Sequence, residues 1–149
     1  MKALLQRVTA ASVSVNGEVV GSIGRGLAVF VGVAVGDGQK DVHYLARKLA
    51  NLRIFSGREE RFNLSALDTG AELLLVSQFT LLADTRKGRR PSFSDAAPAL
   101  EAEKLFEQLV EEVKAAGLKV ATGRFQQYMQ VEIHNDGPVT IMLDSRDKA

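Results

Sequence analysis

The sequence predicts an α+β fold, a β-barrel-like, mostly antiparallel curved sheet with two main helices packed outside it. Two observations carry that expectation. Many short segments are apolar or alternate apolar with polar residues, and turn residues separate them, whereas only two segments repeat apolar residues at helical spacing. The links between the strand-like segments are mostly short, which suits antiparallel neighbours. No internal repeat or low-complexity tract interrupts the order.

The first strand is expected over Ala3–Val15. Ala3, Leu5, Arg7, Thr9, Ala11, Val13 and Val15 form one drier face, alternating with positions such as Gln6, Ser12 and Ser14. Asn16-Gly17 is a strong hairpin signal, because both residues tolerate positive φ, and Val19–Ile23 is the return strand. After Gly24-Arg25-Gly26, the run Leu27–Val35 is apolar on both faces and reads as a central strand. Gly36-Asp37-Gly38 ends it. Val42, Leu45, Leu49 and Leu52 then mark a helix over Asp41–Leu52, and Asn51–Phe55 begins another strand. Residues 56–70 read as a loop. Glu72–Phe79 holds a second continuous apolar run, and residues 80–97 form a long polar loop. A loop of that length is expected to be functional or disordered. Ala102, Phe106, Leu109, Val113 and Ala116 define a helix over Ala99–Ala116, closed by Gly117. Strands are expected at Lys119–Ala121, Gln127–His134 and Val139–Leu143, the last two joined by an Asn135-Asp136-Gly137-Pro138 turn.

Composition narrows the chemistry. The chain has 149 residues, which suits one domain over residues 1–149. A domain of this size buries roughly 68–70% of its unfolded surface and needs no disulfide or metal to fold. The absence of cysteine excludes a disulfide framework, a thiolate nucleophile and a cysteine-ligated zinc. Only His43 and His134 are present, so no metal site built on imidazole is expected. A net charge of +1 provides no global field for a polyanion, and any such partner needs a local patch. The opening apolar run is too short for a signal peptide, and no stretch approaches the ~20 apolar residues of a membrane span. A cytoplasmic protein without membrane attachment is expected, with a frayed polar tail from Asp144 to Ala149.

Four features carry chemical potential. Arg7 lies on the drier face of the first strand, where a guanidinium must be paired or must reach water along its stem. It either closes the sheet by such a pairing or anchors a neighbouring loop by donating to its carbonyls. Ser77-Gln78-Phe79-Thr80 ends an apolar strand. These groups serve ordinary strand-end hydrogen bonding or line a site, where backbone N–H groups meet a developing oxyanion. Thr80 has no histidine near it in sequence to serve as its base. Arg86, Lys87, Arg89 and Arg90 fall within five positions of a loop beside Phe93. They form a solvated loop or a phosphate patch, with Phe93 or Phe79 able to stack a base. Asn135-Asp136-Gly137-Pro138 is a plain β-turn by residue type. With a cis Gly-Pro bond it would instead present two carbonyls side by side as a rigid acceptor pair for a substrate amino group. His43 and His134 are expected at the surface, and Glu132, His134 and Asp136 lack the further ligand that a metal site would need.

Ser77-Gln78-Phe79-Thr80-Leu81 and Asn135-Asp136-Gly137-Pro138-Val139-Thr140 together resemble the two signatures of the D-aminoacyl-tRNA deacylases. Gln6–Val13, Arg53-Ile54-Phe55, Arg90–Ser94, Thr122–Phe125 and Met129-Gln130-Val131 also match that pattern, so the resemblance covers nearly the whole chain. The resemblance implies a carboxylic ester hydrolase that releases D-amino acids from the 3′ end of tRNA, acting as a homodimer without metal or cofactor. It implies that Ser77, Gln78 and Thr80 form the catalytic set and that Phe79, Met129, Gly137, Pro138 and Arg7 bind substrate. Gly137-Pro138 would be cis, reach into the partner's site and read chirality, with Arg7 as its support. Thr80 would act as nucleophile, or the ribose 2′-OH would drive the attack; the sequence favours the second, because it offers Thr80 no base. Arg86, Lys87, Arg89 and Arg90 would hold tRNA. Glycine has no side chain to reject, so glycyl-tRNA, including that mischarged on tRNA(Ala), is also expected to be cleaved. The alternatives are a non-catalytic RNA-binding module using the 86–90 patch, and a related deacylase of L-aminoacyl-tRNA with a trans Gly-Pro bond.

Overall fold

The computed structural model describes residues 1–57 and 61–147. Strand β1 (Lys2–Val15) is the spine of the fold. Along one edge it pairs with β8 (Gln130–Asp144) over nearly its whole length. Along the other, residues 2–8 pair with β3 (Gly26–Gly32) and residues 11–15 with β2 (Glu18–Ile23). The sheet continues from β3 to β6 (Glu72–Ser77) and then to β7 (Lys119–Thr122). It curls far enough for β7 to return against β2. A Cβ on Gly21 would stand 2.6 Å from the Thr122 carbonyl oxygen, so closure of the barrel requires a glycine there.

The three pairings of β1 are antiparallel, while β3–β6 and β6–β7 are parallel. The expected antiparallel bias holds around β1 and fails on the other side for a physical reason. Residues 33–71 contain α1 (Gln39–Asn51), and residues 78–118 contain α3 (Ala99–Ala115). Each helix carries the chain back across the sheet, so the next strand enters in the same direction as the last.

Apolar residues pack on both faces of the sheet. Leu5, Val29, Leu73 and Leu75 meet Leu45 and Leu49 of α1 and Phe106 and Leu109 of α3. Inside the barrel, Val8, Val13, Ala28, Leu74 and Val76 form a second cluster. This explains the unbroken apolar runs of β3 and β6, whose neighbouring residues bury into opposite clusters.

Several sequence expectations are corrected. The drier face of β1 is not continuous: Ala3 and Leu5 face the helices, whereas Val8, Ala11 and Val13 face the barrel. Thr9 is an extra residue between Val8, opposite Asn135, and Ala10, opposite His134. That bulge inverts the alternation. β3 stops at Gly32, and the following residues leave the sheet, with Ala34 bridging to Ala96. The strand expected from Asn51 is only β4 (Phe55–Ser56), paired with β5 (Phe62–Leu64). The loop expected over 56–70 also contains α2 (Ala66–Thr69). There Ser65 and Asp68 cap each other's backbone N–H groups at 3.1 and 2.9 Å. Arg58, Glu59 and Glu60 of that loop lie outside the described residues.

The loop expected over 80–97 is not structureless. It opens with a 3₁₀ turn (Phe79–Leu82) and is pinned by the Asp84–Ser92 and Ala34–Ala96 bridges. Residues 127–129 precede β8, and the two last strands are one strand without the expected turn. The tail is anchored as far as the described residues reach. The Met1 ammonium sits 2.7 Å from Asp37 and donates to Ser145 Oγ at 2.8 Å, and Ser145 N–H donates to the Met1 carbonyl. Lys148 and Ala149 lie outside the described residues.

Candidate active site

The buried run of β6 ends at half-buried Ser77 and Gln78. The Gln78 N–H still donates to the Val31 carbonyl at 2.7 Å, which keeps this point registered on β3. The chain then tightens into the 3₁₀ turn. Leu82 is buried and pins the turn, while Phe79 and Thr80 are exposed. The first N–H groups of a helical turn have no partner within it, so Phe79 and Thr80 present backbone donors beside the strand end. Gln78 Nε2 donates to Thr80 Oγ1. Phe79 meets Phe93 edge to face, with centroids 5.0 Å apart and planes at 69°.

These residues border a cleft of about 640 Å³. Ser77, Gln78 and Phe79 form one wall, and Phe93, Ala96 and Ala97 another. The third wall is the segment from Phe125 to Met129, between β7 and β8. Val33, Val76 and Val131 make its apolar lining. Met129 is held in place by the Arg124 N–H, which donates to its sulfur at 3.4 Å. Of the expected site residues, Ser77, Gln78, Phe79 and Met129 thus share one cleft. Thr80 does not line it, but stands beside it on the Gln78 amide. The sequence reading missed the Phe125–Tyr128 wall because residues from 127 onward were read as a strand. Tyr128 is 96% exposed there, and its place among Gln130, Glu132 and His134 in the strand alternation left no separate signal for the wall.

Arg7, Gly137 and Pro138 lie elsewhere, on the β1–β8 seam. Gln6 pairs with Thr140 and Val8 with Asn135, so four residues of β8, 136–139, stand against the single Arg7. This wide bulge replaces the expected turn. Asn135 ties its ends, donating to the carbonyls of Arg7 at 2.9 Å and Val139 at 3.1 Å. Gly137 has φ 122°, and a Cβ there would lie 2.9 Å from Val139 Cγ2 and 3.2 Å from Arg7 Nη2. The Gly137–Pro138 peptide bond is cis, and both residues are exposed. Along β1, Ala3 faces the same Val31 that receives Gln78, four residues from Arg7. At roughly 3.3 Å per residue, the bulge is displaced by ~13 Å along the sheet from the strand end that carries Ser77.

Arg7 combines both roles expected of it. Its Nη1 donates to the Ile54 carbonyl at 2.9 Å, holding the segment before β4. Its Nε lies 3.2 Å from Asp136 Oδ2, an ion-pair distance without hydrogen-bond alignment. The guanidinium also stands 5.6 Å from the Phe62 ring centroid. Arg7 and Asp136 border a smaller hollow of about 290 Å³, together with Arg25 and Phe55. The acid beside Gly137-Pro138 was the available hint that Arg7 has a carboxylate partner.

Of the four loop cations, Arg86 is the one in an ion pair among the described residues. Its Nε and Nη2 grip Asp84 at 2.9 and 2.8 Å, and the Arg86 N–H donates to the same carboxylate at 3.0 Å. These bonds lower the Asp84 carboxyl to about 2 and raise the Arg86 guanidinium. Lys87, Arg89 and Arg90 are exposed. His43 pairs with Glu112 between α1 and α3, and His134 is exposed on β8, so neither enters the cleft. Among the described residues, no three His, Cys, Asp or Glu side chains are grouped to hold a metal ion. No described helix is long and apolar enough to cross a membrane.

Comparison with known proteins places this architecture. The family described as D-Tyr-tRNA(Tyr) deacylase matches residues 4–144. A D-aminoacyl-tRNA deacylase of Dehalococcoides mccartyi is 58% identical over 148 residues, covering 99% of this chain and 97% of the relative. One of Roseiflexus castenholzii is 57% identical over 145 residues, covering 97% and 92%. Among solved structures, a c-Myc DNA unwinding element binding protein superposes with a TM-score of 0.92 at 42% identity, covering 99% of this chain and 100% of that one. A protein described as a probable eukaryotic D-amino acid tRNA deacylase superposes with a TM-score of 0.82 at 17% identity, covering 95% and 97%, a likeness of fold. Identity of this order along the full length, with the cleft and the bulge both built from the matched residues, means that the chain belongs to the D-aminoacyl-tRNA deacylase family of hydrolases.

Proposed function

We propose that the cleft holds the aminoacylated 3′ adenosine of tRNA and hydrolyses its ester when the amino acid is D or is glycine. The observation that carries this reading is the make-up of the cleft mouth: aromatic faces for a base, side-chain amide and hydroxyl groups, and backbone donors opening the 3₁₀ turn. An activated ester needs a positioned water and a stabilised oxyanion more than a strong base. Water adds to the ester carbonyl carbon, and the negative charge on the carbonyl oxygen meets the Phe79 and Thr80 N–H groups. Collapse breaks the bond to the ribose 3′-oxygen, which takes the proton that the water gives up. The neighbouring ribose 2′-OH relays that proton. Gln78 occupies a lone pair of Thr80 Oγ1 and leaves its O–H free to donate, which suits Thr80 to orienting the substrate rather than attacking it.

Chiral selection falls to Gly137-Pro138 of a second copy. Both residues are exposed and neither lines the cleft of its own chain, as a cross-subunit role in a homodimer requires. Their carbonyls would grip the substrate amino group and fill the space an L side chain needs, while a D side chain points away. Arg7, beside Gly137, would hold the bulge in place. The test is incubation with D-tyrosyl-tRNA, L-tyrosyl-tRNA and glycyl-tRNA(Ala). Release from the first and third and retention of the second are expected. Cleavage of the L ester would assign a related L-specific deacylase, and no release from any would leave an RNA-binding module. Sparing of glycyl-tRNA at enzyme levels that clear the D ester would show that steric exclusion is not the whole mechanism.

A further inference from the structure

Building on the proposed tRNA substrate, we infer that residues 84–92 form a braced hairpin for single-stranded RNA just upstream of the esterified nucleotide. Lys87, Arg89 and Arg90 take its phosphates, and Asp84–Arg86 serves as the brace. The hairpin is closed by paired backbone bonds between Asp84 and Ser92, at 2.8 and 2.9 Å. Within it, the carboxylate of Asp84 accepts three bonds from Arg86, two in a planar fork. The donors of Arg86 that face Asp84 are therefore committed, and the two residues as a pair carry no net charge. Arg86 is thus withdrawn from the polyanion footprint that the four-cation run suggests. The three cations outside the ion pair follow along the turn, and Phe93, immediately after its closing strand, packs on Phe79 at the cleft. A single strand leaving the cleft past these rings meets the hairpin directly, with its phosphates toward the cations.

The occupant is single-stranded RNA rather than a duplex because the patch is short. Three cations release about two counterions from a single strand, at roughly 0.7 per contact. Asp84 is a positioning residue: it acts through Arg86 and the turn rather than by touching RNA.

The test measures binding of the full chain to a 12-nucleotide single-stranded RNA ending in CCA, across a salt series. A matched RNA duplex serves as control. The wild-type slope of log affinity against log salt is expected near about −2. Lys87→Gln, Arg89→Gln and Arg90→Gln should each flatten it by roughly 0.7, while Arg86→Gln should leave it in place. Asp84→Asn releases the Arg86 charge and should steepen the slope by roughly the same 0.7, and the double variant Asp84→Asn/Arg86→Gln should return it to the wild-type value. A merely structural Asp84 would weaken binding without steepening the slope. The inference is overturned if Arg86→Gln flattens the slope as much as Arg89→Gln does, or if the duplex binds as tightly as the single strand. Because the slope needs no hydrolysis, its failure is distinct from failure of the deacylase assay.

Discussion

At Thr80 the hydroxyl oxygen receives the Gln78 amide, and the two chemical roles open to it predict different losses on substitution. A residue that only donates a hydrogen bond to substrate is worth about 1.5–3 kcal/mol, or roughly 10–150-fold in rate. Loss of a nucleophile costs about 10⁶-fold. Thr80→Val should therefore retain measurable single-turnover hydrolysis of D-tyrosyl-tRNA, reduced by one to two orders of magnitude, whereas a 2′-deoxy terminal adenosine should nearly stop it. Complete loss with the variant would restore the nucleophile role. Gly137 makes a second prediction at this scale. Its φ of 122° and the 2.9 Å approach of Val139 Cγ2 leave no place for a methyl group. Gly137→Ala should destabilise the fold by about 1–3 kcal/mol in urea and raise cleavage of the L ester relative to the D ester. Unchanged selectivity would remove the bulge from chiral reading. Both residues stood out in the sequence by type and motif, but their surroundings did not. The neighbour of Arg7, Asp136, lies 129 positions away, and no local pattern links them.

The elements that present these residues are irregular, and that is where the sequence reading lost its way. The β8 bulge was read as a turn because Asn, Asp, Gly and Pro are turn formers; the long pairing of β8 with β1 overrides that preference. The 3₁₀ turn after β6 was invisible because four residues are too few to show a helical period, and residues from 80 onward read as a loop. The 84–92 hairpin permits a prediction by pH. The Asp84 carboxyl is lowered from 3.8 to about 2, first by the Arg86 side-chain bonds. A lowered carboxyl means that its contribution is fully present above the unfolded value and is lost as pH falls through the folded one. The fork should remain closed at pH 4 and open between about pH 3 and 2, as followed by the Arg86 Nε–H resonance and by exchange of the Ser92 amide. Titration of Asp84 near 4 would mean that the fork does not form in solution.

For the whole molecule, the proposed reading of chirality across two subunits would make quaternary structure part of the chemistry. The chain of 16.1 kDa should run at twice that mass by light scattering, and specific activity should fall when dilution dissociates the dimer. Activity per chain that stays constant through dissociation would place chiral reading within one subunit. Mixing a Gly137→Ala chain with a cleft-defective Gln78→Ala chain should restore one wild-type site per heterodimer, and with it D-specific hydrolysis above either variant alone.

The sequence alone determined the strand-rich order, the two main helices, the apolar runs of β3 and β6, and both motifs, because these depend on residue type and short-range period. It also excluded cysteine chemistry, because the chain has no cysteine. Only the tertiary structure decided which strands run parallel, since that depends on how α1 and α3 cross the sheet. The phase change at Thr9 and the ion pair between Arg7 and Asp136 are likewise tertiary. Each depends on partners that the folded chain, and not the local pattern, brings within a few ångströms. The cleft wall from Phe125 to Met129 belongs to the same class, because a loop takes its shape from what it packs against.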